Sequence, residues 1–168
     1  RFLRSVVYMV AHDSEGAMGF IINKRAEGLS LGDILKDMPE TVATTGLVNL
    51  PVYVGGPVQN DRGFVLHTSD YEKTQNSLSQ ELPIALTQSA DVLVDAAHGR
   101  GPEKMRLFLG YAGWGPGQIE GELQDNAWLV CDANIAEIFT SQSDDLYEKC
   151  VAAMGIELAL LSNEGGEA

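Results

Sequence analysis

The runs SVVYMVAH (Ser5–His12) and AMGFIIN (Ala17–Asn23) are dense in β-branched and aromatic residues, with apolar side chains at even and odd positions alike. The tetrad Asp13-Ser14-Glu15-Gly16 between them favours a turn. Together they predict a β-hairpin whose strands lie centrally, covered on both faces. The period then becomes helical: LGDILKDM (Leu31–Met38) sets Ile34, Leu35 and Met38 on one side, with Ser30 and Asp33 as a capping pair and Pro39 as a stop. Thr41–Asn49 reads as a looser connection.

A second hairpin is predicted from PVYVGG (Pro51–Gly56) and RGFVLHT (Arg62–Thr68), turning through PVQND. Residues 69–82 are polar and loop-like, and LPIALT (Leu82–Thr87) is strand-like. Ser89 caps a helix over ADVLVDAAH, closed by Gly99 as a left-handed terminus. KMRLFLGYA then predicts a strand, GQIEGELQ a short helix, and NAWLVCD another strand. Asn134 with Glu137 opens a helix at IAEIF, and Ser143 opens one over DDLYEKCVAAM, where Leu146, Tyr147, Cys150, Val151 and Met154 keep helical spacing. The tail SNEGGEA frays. About seven strands and five short helices follow, in one α+β domain over residues 1–168 with no internal repeat.

Composition narrows the function classes. The chain carries 24 acidic and 11 basic residues, a net charge of −13. Affinity for nucleic acid grows by neutralising phosphates, so this balance disfavours direct DNA or RNA binding. It suits solubility or a basic partner. No apolar run approaches the roughly 20 residues of a membrane span. Cys131 and Cys150 stand apart, without a CxxC pair, and read as reduced, buried thiols of an intracellular protein.

The strongest candidate for chemistry is GYAGWGPGQIEGEL (Gly110–Leu123), a strand, a glycine-rich corner and a helix. That order suits a phosphate loop, and Asp132 ends the next predicted strand where a ribose-binding acid would sit. The spacing fails, because Gln118 stands where GxGxxG needs its third glycine. The glycines also serve as a corner whose aromatics, Tyr111 and Trp114, plug the core. Gly55-Gly56-Pro57 is a second such spot: a strand break, or exposed amides lining a cleft shared with the Gly110 loop. His12, His67 and His98 have no metal-ligand spacing, and no GxSxG elbow is present. Asp61-Arg62 reads as a turn-stabilising pair. Glu120 and Glu122 are two apart on a short helix and face different ways.

The segments RSVVYMVAHDSEGAMGFIINK, VYVGGPVQNDRGFVLH, LTQSADVL, LGYAGWGPGQIEGEL with NAWL, and MGIELALLSNEGGEA resemble, in this order, the AlgH (YqgE-like) family of bacterial proteins. GGPV and GYAGWxxGQ are the specific motifs. The resemblance implies a single α+β domain of mixed, largely antiparallel, coiled and bifurcated β-sheets with short helices, in the bacterial cytoplasm. It also implies a further N-terminal segment that this chain lacks. The family is labelled a transcriptional regulator through a link to alginate production, with no established reaction or ligand. Its motif positions fall here on Asn23, Gly55, Gly56, Pro57, Arg62, Gly63, Gly110, Tyr111, Gly113, Trp114, Gly117 and Gln118. Gly121 departs from the pattern, in a helix where the family often has an acidic or helix-favouring residue.

The favoured expectation is a non-enzymatic binding or regulatory module, without cofactor or metal. It recognises a protein or small ligand through the GGPV and GYAGW surfaces. An enzyme using Arg62, Gln118 and a carboxylate such as Asp61 in the same cleft is the alternative, and a direct DNA-binding regulator the less favoured one.

Overall fold

The structure is a computed structural model and describes residues 4–37, 50–71, 84–132, 138–139 and 143–154. Its strands are β1 (Val7–Asp13), β2 (Gly16–Ile21), β3 (Arg25–Ser30), β4 (Pro51–Val54), β5 (Val58–Thr68), β6 (Ile84–Thr87) and β7 (Met105–Trp114). The helices are α1 (Leu31–Ile34, continued by a 3-10 turn at Leu35–Asp37), α2 (Asp91–Ala97), α3 (Gln118–Gln124) and α4 (Ser143–Ala153).

β7 organises the molecule. Its first part runs parallel to β4 (Tyr53 beside Phe108) and antiparallel to β5 (Phe64 beside Phe108). Its end, Ala112–Trp114, pairs antiparallel with β2. β1 extends the β2 side, β3 the β4 side and β6 the β5 side. The sheet therefore forks at β7, and the single α+β domain of mixed, mainly antiparallel strands expected from the sequence is present.

Alternation along β7 sorts the core, because successive strand side chains point to opposite faces. Phe108 joins Phe20, Tyr53, Phe64 and Leu66 on one face, under Leu146 of α4. Leu107 joins Val52 and Val65 on the other, under Leu31, Leu35 and the α2 residues Val92 and Leu93. Near the end of β7, Ala112 and Trp114 pack with Ile21 and with Ile119 of α3. A buried polar group ties the α2 side together. His67 is bonded through Nε2 to Thr87 Oγ1 (2.7 Å) and through Nδ1–H to the Thr68 carbonyl (2.7 Å), while the Tyr71 hydroxyl donates to Asp95. The threonine hydroxyl can accept or donate, so both ring nitrogens are satisfied inside the core.

Local signals placed several elements. The hairpin turns at Ser14-Glu15, the Asp33 carboxylate accepts from the Ser30 amide (2.9 Å), and Gly99 adopts φ +74° after α2. Other expectations need correction. β1 is an edge strand rather than a central one, because β2 takes its second partner from β7. The second hairpin does not form: β4 and β5 both pair with β7 instead of with each other. The expected turn at Asn60, Asp61 and Gly63 is a bulge within β5, where the register jumps between Val58 and Gly63 and Gln59–Arg62 stand exposed. Arg25–Ser30 is a strand that the sequence did not announce. Residues 126–132 form no strand, which leaves Cys131 exposed, while Cys150 is only partly buried. Pro39, the 41–49 connection, most of the 69–82 loop, Asn134, Glu137 and the tail lie outside the described residues.

Two exposed carboxylates give the fold an acid-side dependence. Asp70 accepts from the Thr68 hydroxyl (2.5 Å) and the Glu103 amide (3.0 Å), and Asp33 from the Ser30 amide and hydroxyl, which hold both below the ordinary aspartate range. A carboxyl with its folded pKa depressed contributes stability that is present above its unfolded value of about 4 and lost as pH falls through the folded value. Urea midpoints measured from about pH 6 to about pH 2 should therefore fall on the acid side. The slope should be shallower in Asp70→Asn; an identical slope would remove Asp70 from this account.

Candidate functional site

The two glycine motifs meet at the fork. Gly110 has φ +70°, and a Cβ there would lie 2.4 Å from the Gly56 carbonyl oxygen and 2.9 Å from that of Val58. A Cβ on Gly55 would lie 2.3 Å from the Gly110 carbonyl oxygen, and one on Gly56 2.1 Å from the Tyr111 carbonyl carbon. Backbone is thus packed on backbone where the chain passes from β4 to β5 across β7, and only glycine leaves the room. The Gly55 amide donates to the Leu109 carbonyl (2.8 Å), and the Gly55 carbonyl accepts from Ile21 (2.8 Å). Those groups are engaged in holding β2, β4 and β7 together.

The remaining motif residues fall on either side. Asn23 pins the start of the chain, accepting from the Val6 amide and donating to the Arg4 carbonyl, 2.9 Å each. Tyr111 is half-buried and meets Phe64 edge-on, centroids 5.6 Å apart. Pro57 is half-buried, and Arg62 is exposed on the β5 bulge beside Asp61. Gly113 and Trp114 complete β7. Gly117, with φ +73° and open space around it, begins α3. Gln118 is exposed, and its Oε1 accepts from the Gly115 amide (3.0 Å) to close the corner. The fork at Gly110 and the corner at Gly115 are five residues apart along β7, roughly 16 Å at strand rise. The glycine pair of β4 and β5 therefore joins the Gly110 end of the motif, and Gln118 stands at the other.

Around that corner the structure joins Trp114 to residues outside the motif positions. Trp114, 5% exposed, donates its indole N–H to Glu122 Oε2 (2.7 Å), and Trp128 donates to the same oxygen (3.1 Å). The two indoles meet edge-on at 5.9 Å. Glu122 thus fastens the segment after α3 to β7, aided by the Ala127 amide bonding to the Glu122 carbonyl (2.9 Å). Glu120, on a different side of α3, reaches His12 on the edge strand, Oε1 to Nε2 at 2.5 Å. That contact and a backbone bond lower the Glu120 pKa. Immediately after Trp128 two aliphatic residues stand open: Leu129 is 49% and Val130 75% exposed. Among the described residues, no three His, Cys, Asp or Glu side chains gather as metal ligands.

A family described as AlgH-like (DUF179) matches residues 1–159. The chain belongs to the AlgH-like family. A UPF0301 protein of Methylobacterium sp. (strain 4-46) is 43% identical over 174 residues, covering all of this chain and 83% of that protein. One from Ruegeria pomeroyi is 40% identical over 168 residues, covering all of this chain and 91% of that protein. The solution structure of AlgH from Pseudomonas aeruginosa superposes with a TM-score of 0.78 at 41% identity, over 98% of this chain and 86% of that one. A Corynebacterium diphtheriae protein shares the fold at 18% identity, with a TM-score of 0.67 over 89% of this chain and 76% of that one. No described helix of this AlgH-like chain is long and apolar enough to cross a membrane.

The signal that would have pointed to the α3 face was in the charge pattern. No lysine or arginine occurs from Leu107 to Glu148, a span that holds the whole corner, α3 and residues 125–132. The exposure of Leu129 and Val130 had no such signal, since an aliphatic pair in a β-prone run ordinarily implies burial.

Proposed function

We propose that this AlgH-like chain is a non-enzymatic binding and regulatory module, and that its recognition surface is the Gly115–Gln118 corner with α3 and residues 127–132. The observation that supports this reading is the adjacent pair Leu129 and Val130, left open beside a corner that the fold builds from specialised residues. The two side chains are adjacent, so the apolar surface they leave open is continuous rather than scattered, which is the arrangement that contributes to interaction sites. Gly55, Gly56 and Gly110 serve the same function indirectly, by fixing the fork from which the corner projects.

Immobilised wild-type chain should retain a partner from a bacterial extract that Gln118→Ala releases, while the melting temperature of that variant stays within a few degrees. Equal retention by the variant would count against the corner. Turnover of a compound from a metabolite pool would replace the binding module with an enzyme.

A further inference from the structure

The face that carries Leu129 and Val130 is built from two stretches without a cation. Neither Ser5–Asn23 nor Leu107–Glu148 contains a lysine or arginine. The fold brings them together. The β1–β2 turn sits against the end of β7, so close that a Cβ on Gly16 would lie 2.3 Å from the Trp114 carbonyl oxygen. His12 of β1 meets Glu120 of α3. Asp13 and Glu15 on the turn, Asp125 after α3 and Asp132 beyond Val130 are all exposed. Glu120 Oε2 is buried and has no hydrogen-bond partner among the described residues.

Building on the binding-module reading, we infer that this face takes a cationic segment of another protein. An aliphatic or aromatic side chain of that segment lies on Leu129 and Val130, and its lysines or arginines meet Asp13, Glu15 and Asp125. Charge complementarity selects this occupant. Nucleic acid would set phosphates against carboxylates. A second copy joined through the same patch would set the acidic face against itself, because a two-fold interface is self-complementary. Complementary charge guides encounter and register, while the apolar contact supplies the salt-independent part of the affinity.

Both tryptophans of the chain, Trp114 and Trp128, sit at this face, so intrinsic fluorescence reports on it. Three short synthetic peptides of equal length serve as probes: alternating Lys and Leu, alternating Lys and Ser, and alternating Glu and Leu. The Lys–Leu peptide should shift the emission and bind most tightly, weakening about tenfold between about 50 mM and about 300 mM salt. Val130→Ser should weaken it severalfold at all salt concentrations. Asp13→Asn combined with Asp125→Asn should flatten the salt dependence. Equal binding of the Glu–Leu peptide, or no effect of Val130→Ser, would overturn the inference. So would amide shifts confined to the β5 bulge in a nuclear magnetic resonance titration. A natural partner lost in Gln118→Ala but bound independently of salt would remove this inference and leave the binding module standing.

Discussion

Replacing Gly110 by alanine is expected to destabilise the chain by about 3 kcal/mol or more. Two costs combine. A left-handed backbone angle of φ +70° costs an L-residue about 1–2 kcal/mol. The added Cβ also meets two carbonyl oxygens, at 2.4 and 2.9 Å, that belong to the backbone and cannot rotate away. Relief would require separating the β4–β5 passage from β7. Gly117→Ala is the matched comparison, since φ is +73° there but nothing lies within 4 Å of the new atom. It should cost only about 1 kcal/mol. Urea unfolding of both variants separates the terms, and similar midpoints would show that the fork is not held by close packing. With domain stabilities of about 5–15 kcal/mol, failure of Gly110→Ala to accumulate as folded protein is the same result in stronger form.

Phe108→Ala should cost about 3–5 kcal/mol. The ring is fully buried in the middle of β7, with centroids 5.5 Å from Phe20 and 5.8 Å from Tyr53. Those neighbours come from β2 and β4, so deleting the ring opens a cavity between both arms of the fork rather than at its margin. Phe108→Leu keeps most of the volume and should recover at least half the loss. Val130→Ala, on open surface, should stay within about 0.5 kcal/mol of the parent. If chemical denaturation ranked these three alike, the placement of the core would be wrong.

The contrast between Phe108 and Val130 also explains what the sequence made legible. Short-range chemistry was readable: Ser30 with Asp33 opens α1, Gly99 closes α2, and Asp13–Gly16 turns the first hairpin. Each is decided within a few residues. The second hairpin was misread because its strands, joined across Gly55-Gly56-Pro57, find a better common partner in β7, far along the chain. β3 was missed because Arg25, Glu27 and Gly28 give little alternation, and its pairing with β4 is irregular. Residues 126–132 look like a strand by composition, yet a strand exists only through its ladder, and none forms there among the described residues.

The candidate site divides in the same way. That Gly55, Gly56 and Gly110 mattered was plain from the residues, and their use as a backbone crossing needed the fold. Gln118 was singled out for its position at a helix start, where its side chain proves to close the corner. Glu122 was set aside because it could not pair with Glu120, and it emerges as the acceptor for both indoles. Its role depends on Trp114 arriving from β7, which no local spacing records.

The claim that binds these observations is that the glycine fork is structural and the α3 face meets the partner. Site-specific photo-crosslinking in living bacteria tests it directly, with the reactive side chain placed at Val130 in one strain and at Arg62, on the β5 bulge, in another. Both positions are exposed, so neither replacement disturbs the core. A discrete adduct at Val130 and none at Arg62 is the predicted result. An adduct at Arg62 with none at Val130 would place recognition on the GGPV side and contradict the account.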